Sequence, residues 1–194
     1  MFLLRRPTPA LLDRVLASQR DAPLSYADPG RTRAGLRRRL FVNHHEAEMG
    51  IGEAAFHRTV AAVKGWAMYD LPWTEVYPPR APVEEGSVLA TVIHHLGFWS
   101  INPCRVVYLE EGERRFAFAL GTLPLHSESG EERFLVEWDA AADRVRFEIL
   151  GYAGPRHWLA WLGAPYVPFL QRVFGRAALR AVRARADARL PDHG

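Results

Sequence analysis

The chain has 194 residues, a formal net charge of +3 and a pI near 9.3. Its 48% hydrophobic and 24% charged residues are typical of a folded globular protein and exclude wholesale disorder. The positive excess is small and no nucleic-acid-binding module is recognisable, so we expect no nucleic-acid partner.

Residues 1–34 resemble a separate N-terminal arm. Thr8 is a helix N-cap residue and Pro9 suits the first helical position. The apolar residues that follow at helical spacing are Leu12, Val15 and Leu16. We expect this helix to pack over the mouth of a cavity formed by one further domain, residues 35–190.

The start of the chain, MFLLRRP, places its arginines after a very short apolar stretch. A secretory signal has the reverse order. No apolar run approaches the roughly 20 residues of a membrane helix. We therefore expect a cytoplasmic protein without membrane insertion.

A short strand, LRRRLFVN, precedes the helical stretch GEAAFHRTVAAVKGWAMYD. Within that stretch Phe56, Val60, Val63 and Ala67 share one helical face. GIGEAA, residues 50–55, matches the glycine pattern of a dinucleotide-binding turn. No alternating strand–helix units follow it, so we interpret these glycines as turn and helix-start residues.

Five strand-like runs with short connections occupy residues 86–152. Strands joined this tightly pair antiparallel, because a parallel pair needs a long crossover. Phe134, Val136 and Trp138 alternate along one of these runs, which predicts one dry and one wet face of the sheet.

The C-terminal segment PYVPFLQRVFGRAALRAVRARADARL predicts a long amphipathic helix. Its apolar side carries Leu170, Phe174, Ala177 and Ala181. Its other side carries an arginine stripe, which we interpret as a solvated surface: Arg172, Arg176, Arg180 and Arg183.

This order of elements predicts an α+β fold in which a curved antiparallel sheet wraps around the long C-terminal helix. It resembles the helix-grip fold of the START and Bet v 1-like (SRPBCC) superfamily. The resemblance implies an apolar space between sheet and helix, because most members of that superfamily hold apolar small molecules there.

Several segments also resemble the DUF1990 family of bacterial and plant proteins, described as a domain of unknown function. They include LSYADPGRT, MGIGEAAFHRTVAAVKGWAMYD, CRVVYLEEGERRFAFALGTLPLHSESGEERFLVEW and PFLQRVFGRAAL. Leu125 and Ser127 stand where the family usually has Gly and Pro. The resemblance covers most of the chain and implies a family and a fold class, but no reaction.

Our leading functional prediction is a non-enzymatic or only weakly catalytic binder of an apolar small molecule such as a lipid, an isoprenoid or a polyketide-like compound. The predicted ligand-binding residues combine sheet aromatics with polar groups of the loop after residue 121: Phe116, Phe118, Phe134, Trp138, Phe147, Glu132 and His126. The competing interpretation is that the aromatic side chains fill a solid core.

The two-residue period of the strand that carries Phe134 sends Glu132 to the dry face and Glu131 and Arg133 to the wet one. A bulge after Gly130 would reverse this. We expect His126 and Arg105 beside Glu132.

Two alternatives to ligand binding remain open. One is a cyclase, hydrolase or isomerase with His126 and Glu132 as its acid/base pair and Arg105 as an oxyanion or carboxylate partner. The other is a protein-interaction module, and a homodimer is also left open.

A metal site is a weaker hypothesis, and we expect neither a metal nor a cofactor. Adjacent histidines on a strand point to opposite faces, which leaves only a spatial cluster of His94, His126 and Glu132 as a metal site. The single cysteine, Cys104, excludes an intramolecular disulfide and is best interpreted as a buried small apolar residue.

Overall fold

The computed structural model describes residues 1–36, 42–155 and 167–188. The strands are β1 (Phe2–Leu3), β2 (Val42–Ile51), β3 (Thr74–Tyr77), β4 (Val88–His95), β5 (Phe98–Gly112), β6 (Arg115–Thr122), β7 (Glu128–Asp139) and β8 (Arg144–Pro155). The helices are α1 (Pro9–Gln19), α2 (Gly52–Lys64) and α3 (Val167–Asp187), with short 3₁₀ helices at Arg31–Ala34 and Ala67–Tyr69. None of the described helices is both long and apolar enough to cross a membrane.

The strands form one antiparallel sheet in the order β2–β8–β7–β6–β5–β4–β3, and β1 pairs with β5. The sheet curls, and α2 and α3 pack against its concave face. This confirms the predicted α+β helix-grip fold. The predicted segment PRHWLAWLG, with Trp158 and Trp161, and residues 37–41 of the predicted first strand lie outside the described residues.

Helix α3 lies close to β2 because Gly175 faces the His45 ring, where any Cβ would overlap that ring. The helix buries Ala178, Val182 and Ala186 in the core. The buried face is therefore centred one residue later than the predicted positions Ala177 and Ala181, which are only partly buried. The predicted arginine stripe is exposed.

The convex face of the sheet is not wet, which corrects the sequence prediction. Helix α1 packs Leu12 and Val15 against Ala90, Val92 and Ile101 of β4 and β5. Helix α1 of the arm therefore covers the convex side of the sheet rather than the mouth of a cavity. Further along the same face, Glu131 is only 2% exposed and Arg133 only 6%. No local pattern in the sequence signalled this cover, because the contacts join residues that are far apart along the chain.

A register shift between Val106 and Tyr108 changes the phase of β5. Before the shift, Cys104 and Val106 face the concave side and Arg105 faces the convex side. After it, Tyr108 contacts Thr32 of the arm and Leu109 packs on the concave core. A strict two-residue period could not predict both halves of this strand.

Candidate functional site: a cavity with a partly buried carboxyl group

A cavity of about 500 Å³ lies between the concave face of the sheet, the segment after α2 and the first turns of α3. Its apolar wall consists mainly of Trp73, Ile93, Cys104, Leu120, Leu170 and Phe174. Phe2, Leu96 and Phe98 also line it while remaining exposed to solvent. These three residues therefore mark the opening of the cavity.

The aromatic residues predicted to bind a ligand do not line this cavity. Phe116, Phe118, Phe134 and Phe147 are buried in the concave core, and Trp138 packs against its edge. Phe118 and Phe134 stack with ring centroids 5.1 Å apart, and Trp66 packs edge-on against Phe118 at 5.4 Å. The sheet is thus filled at the end covered by α2 and hollow at the other. The sequence could not separate the two ends, because both carry apolar residues at the same period.

Glu132 lies in the cavity wall, as predicted from the two-residue period of β7. The pairing of β7 with β8 shows no register shift from Glu128 to Asp139, so no bulge reverses that period. The Tyr69 hydroxyl donates a hydrogen bond to Glu132 Oε2 at 3.1 Å. Burial raises the pKa of the Glu132 carboxyl to about 7, against a smaller opposing effect of the Tyr69 hydrogen bond. A carboxyl group that is half protonated near neutral pH can both donate and accept a proton.

Burial also shifts the pKa values of three other groups in the cavity wall: Glu128, Cys104 and Tyr69. Burial raises the pKa of the Glu128 carboxyl, and the negative charge of Glu128 adds to the rise at Glu132. Burial also raises the pKa of the Cys104 thiol, so this cysteine is neutral and a poor nucleophile. Tyr69 likewise stays neutral, because burial and the Glu132 charge hold its pKa well above the ordinary value.

His126 lines the same cavity from the loop between β6 and β7. The backbone N–H of Glu128 donates to its Nδ1 at 2.9 Å. An Nδ1 atom that accepts this bond leaves the proton of the neutral ring on Nε2. The loop is also held by Ser127, whose hydroxyl donates to Asn102 Oδ1 at 2.9 Å. It is therefore a fixed connection as well as part of the cavity wall.

Arg105 does not lie beside Glu132, which corrects that part of the predicted site. Its guanidinium donates to the carbonyls of Arg20 at 2.7 Å and Ala22 at 3.0 Å, just after α1. These carbonyls lie on the convex side of the sheet, where α1 packs. The arginine thus fastens the arm, and the predicted oxyanion partner is absent from the described cavity wall.

The hypothetical metal cluster is not assembled either. His94 is exposed and stacks on Trp99 at 4.4 Å, on the face opposite to Glu132. Another group of possible ligands, His44, Glu46 and Glu148, lies on the convex face of β2 and β8. Its carboxylates already pair with Arg146 at 3.0 Å and Arg133 at 2.5 Å.

Sequence reasoning missed Tyr69, Trp73 and Phe174 as residues of the site. Tyr69 falls in the stretch predicted as one continuous helix, but α2 ends at Lys64 and Trp66 takes a left-handed conformation at φ 61°. The new direction places the Tyr69 hydroxyl over the sheet. Gly65 and the following Trp66 were the only local signal of that break.

The family model described as Domain of unknown function (DUF1990) matches residues 25–181. A UPF0548 protein of Deinococcus radiodurans is 32% identical over 200 residues, covering 94% of this chain and 94% of that protein. A UPF0548 protein of Dictyostelium discoideum is 29% identical over 195 residues, covering 90% of both.

Among solved structures, a hypothetical protein of Helicobacter pylori matches with a TM-score of 0.57 and 14% identity, over 75% of this chain and 87% of that one. A protein of Thermus thermophilus matches with a TM-score of 0.55 and 14% identity, over 75% of this chain and 96% of that one. At this level of identity the structural matches show the fold alone.

Proposed function

For this chain, which belongs to the DUF1990 family, we propose that the cavity binds an apolar small molecule between the sheet and α3. The observation that carries the proposal is the cavity of about 500 Å³ at one end of an otherwise filled core. Ligand pockets of proteins commonly enclose roughly 300–1,000 Å³. Protein interiors are otherwise close-packed, so a hollow of this size is unusual for a purely structural core.

The wall of the cavity supports the same proposal. Trp73, Phe174 and Ile93 offer flat and branched apolar surfaces, while Glu132, Tyr69 and His126 offer a few polar groups. Such a combination lets burial provide affinity and a small number of hydrogen bonds provide orientation. A lipid, an isoprenoid or a polyketide-like aromatic molecule has the matching shape and polarity.

The test is native mass spectrometry of protein purified from cells, followed by organic extraction of whatever copurifies. We expect an apolar ligand on the unmodified protein. The variant Cys104→Leu extends a larger side chain into the cavity and should reduce the bound fraction, while Cys104→Ala should retain it. The proposal is wrong if nothing copurifies and a panel of fatty acids, isoprenoids and aromatic polyketide analogues leaves the melting temperature unchanged.

A second candidate function is acid/base catalysis on the bound molecule, favoured by the Glu132 pKa of about 7. The extracted ligand would be incubated with fresh protein and its mass and isomeric form compared before and after. Catalysis would be lost in Glu132→Gln. An unchanged ligand, recovered in full, would leave binding as the function.

A further inference from the structure

No lysine or arginine faces the cavity in the described part of the chain, and its basic side chains there are the histidines His95 and His126. Glu128 and Glu132 line it. Glu131 also borders the cavity, but its carboxyl group is bonded to the arm on the convex side. The surrounding wall is largely apolar, with Leu120 and Phe174 among its members. An unpaired carboxylate in such a wall is costly, because it has lost water without gaining a cation.

The two arginines nearest to Glu132 on β5 and β7 bind other partners on the convex face. Arg105 donates to the carbonyls that follow α1, on the convex side. Arg133, the residue after Glu132, pairs with Glu148 at 2.5 Å and donates to the Thr32 carbonyl at 2.7 Å. Neither side chain neutralises a cavity carboxylate.

Tyr69 gives Glu132 one hydrogen bond, which is much less than a buried carboxylate needs. A ligand with its own carboxylate would add another negative charge to this space. A ligand with a positively charged donor would supply what the protein lacks and would be held by charge-assisted hydrogen bonds. The chemistry of the wall therefore discriminates between ligands with the same apolar body.

We propose that the cavity takes an apolar molecule that carries a protonated amine, with the ammonium group held by Glu132, with Glu128 adding negative charge to the same wall, and with the apolar part against Trp73, Phe174 and Ile93. This rests on the proposed function and adds the chemical class of the ligand to it. It also ranks amines above the fatty acids that the general proposal admits.

The pH dependence follows from the groups that face Glu132. These are Tyr69 from the 3₁₀ helix after α2, Cys104 from β5 and Glu128 from β7 itself. Apart from Glu131, the other titratable side chains of the cavity wall are His126, His95 and Tyr152. Tyr69 and Cys104 stay neutral because their pKa values are raised, so Glu132 changes charge near pH 7 while they do not. Affinity for an amine should rise as the pH is raised through about 7, because below it a proton must first leave Glu132.

The experiment compares three probes with one ring system: naphthylethylamine, naphthylethanol and naphthylacetic acid. Binding to the full chain is measured by titration calorimetry below and above pH 7. We expect the amine to bind about ten-fold more tightly than the alcohol above pH 7, with the acid weakest. The preference for the amine should shrink on the acidic side.

Glu132→Gln keeps the size of the side chain and an acceptor for Tyr69 but removes the charge. It should abolish the preference for the amine over the alcohol while the alcohol still binds. Glu137→Gln, on the same strand but in surface ion pairs with Arg115 and Arg146, is the matched control and should change neither affinity.

The outcomes separate the two proposals. If the alcohol or the acid binds as tightly as the amine, the cavity is a binding site but the amine inference is wrong. If no probe binds and no ligand copurifies with the protein, the proposed function itself fails. If the amine preference survives in Glu132→Gln, another group recognises the ammonium and the assignment to Glu132 is overturned.

Discussion

Glu131 and Glu132 are neighbours on β7, yet their carboxyl groups lie on opposite faces of the sheet and in opposite electrostatic surroundings. Glu131 receives hydrogen bonds from the Tyr26 hydroxyl at 2.7 Å, the Gly30 amide at 2.7 Å and the Thr32 amide at 2.9 Å, and also from the Thr32 hydroxyl. Glu132 receives one bond, from Tyr69 at 3.1 Å. One strand thus carries a carboxylate whose hydrogen-bonding capacity is filled by the protein and another that receives a single hydrogen bond.

The difference teaches that burial alone does not identify a functional carboxyl group. Glu131 is the less exposed of the two, but its donors all come from the N-terminal arm and its role is to hold that arm on the sheet. Glu132 has remaining acceptor capacity directed at a cavity. The number of donors supplied by the protein separates a structural carboxylate from one that is available to a ligand.

Removing residues 1–30 should have the largest effect, because it tests whether the N-terminal arm is bound to the convex face of the sheet through Glu131. The deletion exposes the sheet surface covered by Leu12 and Val15, each worth roughly 1.5–3 kcal/mol of burial. It also removes the Tyr26 and Gly30 donors of Glu131. We expect the free energy of unfolding, measured in urea, to fall by about 3 kcal/mol or more. If stability is unchanged, the arm does not stabilise the rest of the fold. It would then be a separate segment that ends near residue 34 and binds only a partner.

Glu131→Ala should destabilise the protein by about 3 kcal/mol, because two amides and two hydroxyls lose a buried charged acceptor. Glu137→Ala, a surface position on the same strand, should cost about 1 kcal/mol or less. Thermal unfolding of both variants measures the difference. Combined with the deletion of residues 1–30, Glu131→Ala should cost less than it does alone, because two of its four donors, the Tyr26 hydroxyl and the Gly30 amide, are already gone. Full additivity would argue against the arm as its partner.

Glu132→Gln should have the opposite effect on stability and raise the free energy of unfolding. The folded-state pKa of about 7 lies above the ordinary 4.5, so the unfolded chain ionises first and the stability of the natural protein falls as the pH rises from 4.5 through 7. Glutamine removes that loss and should stabilise the ligand-free protein by about 2 kcal/mol above pH 7. Below pH 4.5 the two proteins should unfold alike. A variant less stable than the natural protein at high pH would mean that Glu132 is paired after all.

Arg105→Ala should give the smallest effect, a loss of about 1 kcal/mol in stability through the carbonyls that follow α1. Ligand affinity should not change, since the side chain lies on the convex face. Titration of the naphthyl probes and a urea melt of the same variant measure the two effects separately. A large loss of affinity for the probes without a loss of stability would mean that Arg105 contributes to ligand binding.

The sequence by itself determined the order of strands and helices and the phase of β7. The two-residue period of Phe134, Val136 and Trp138 predicted that Glu132 faces the concave side, and the pairing with β8 keeps that phase without a bulge after Gly130. The run of short-linked strands and the final amphipathic helix predicted the α+β helix-grip fold. These features depend on neighbours along the chain, so local periodicity is enough to reveal them.

Only the tertiary structure decided what each face meets. The bulge in β5 turned Arg105 away from Glu132, and the break after Lys64 brought Tyr69 to it. The arm covered the convex face, and α2 filled one end of the concave face while leaving the other hollow. Each of these contacts joins segments that are distant in sequence. A residue's own strand fixes the direction of its side chain, but the cover placed over that face by the rest of the chain fixes its solvation, its partners and therefore its chemistry.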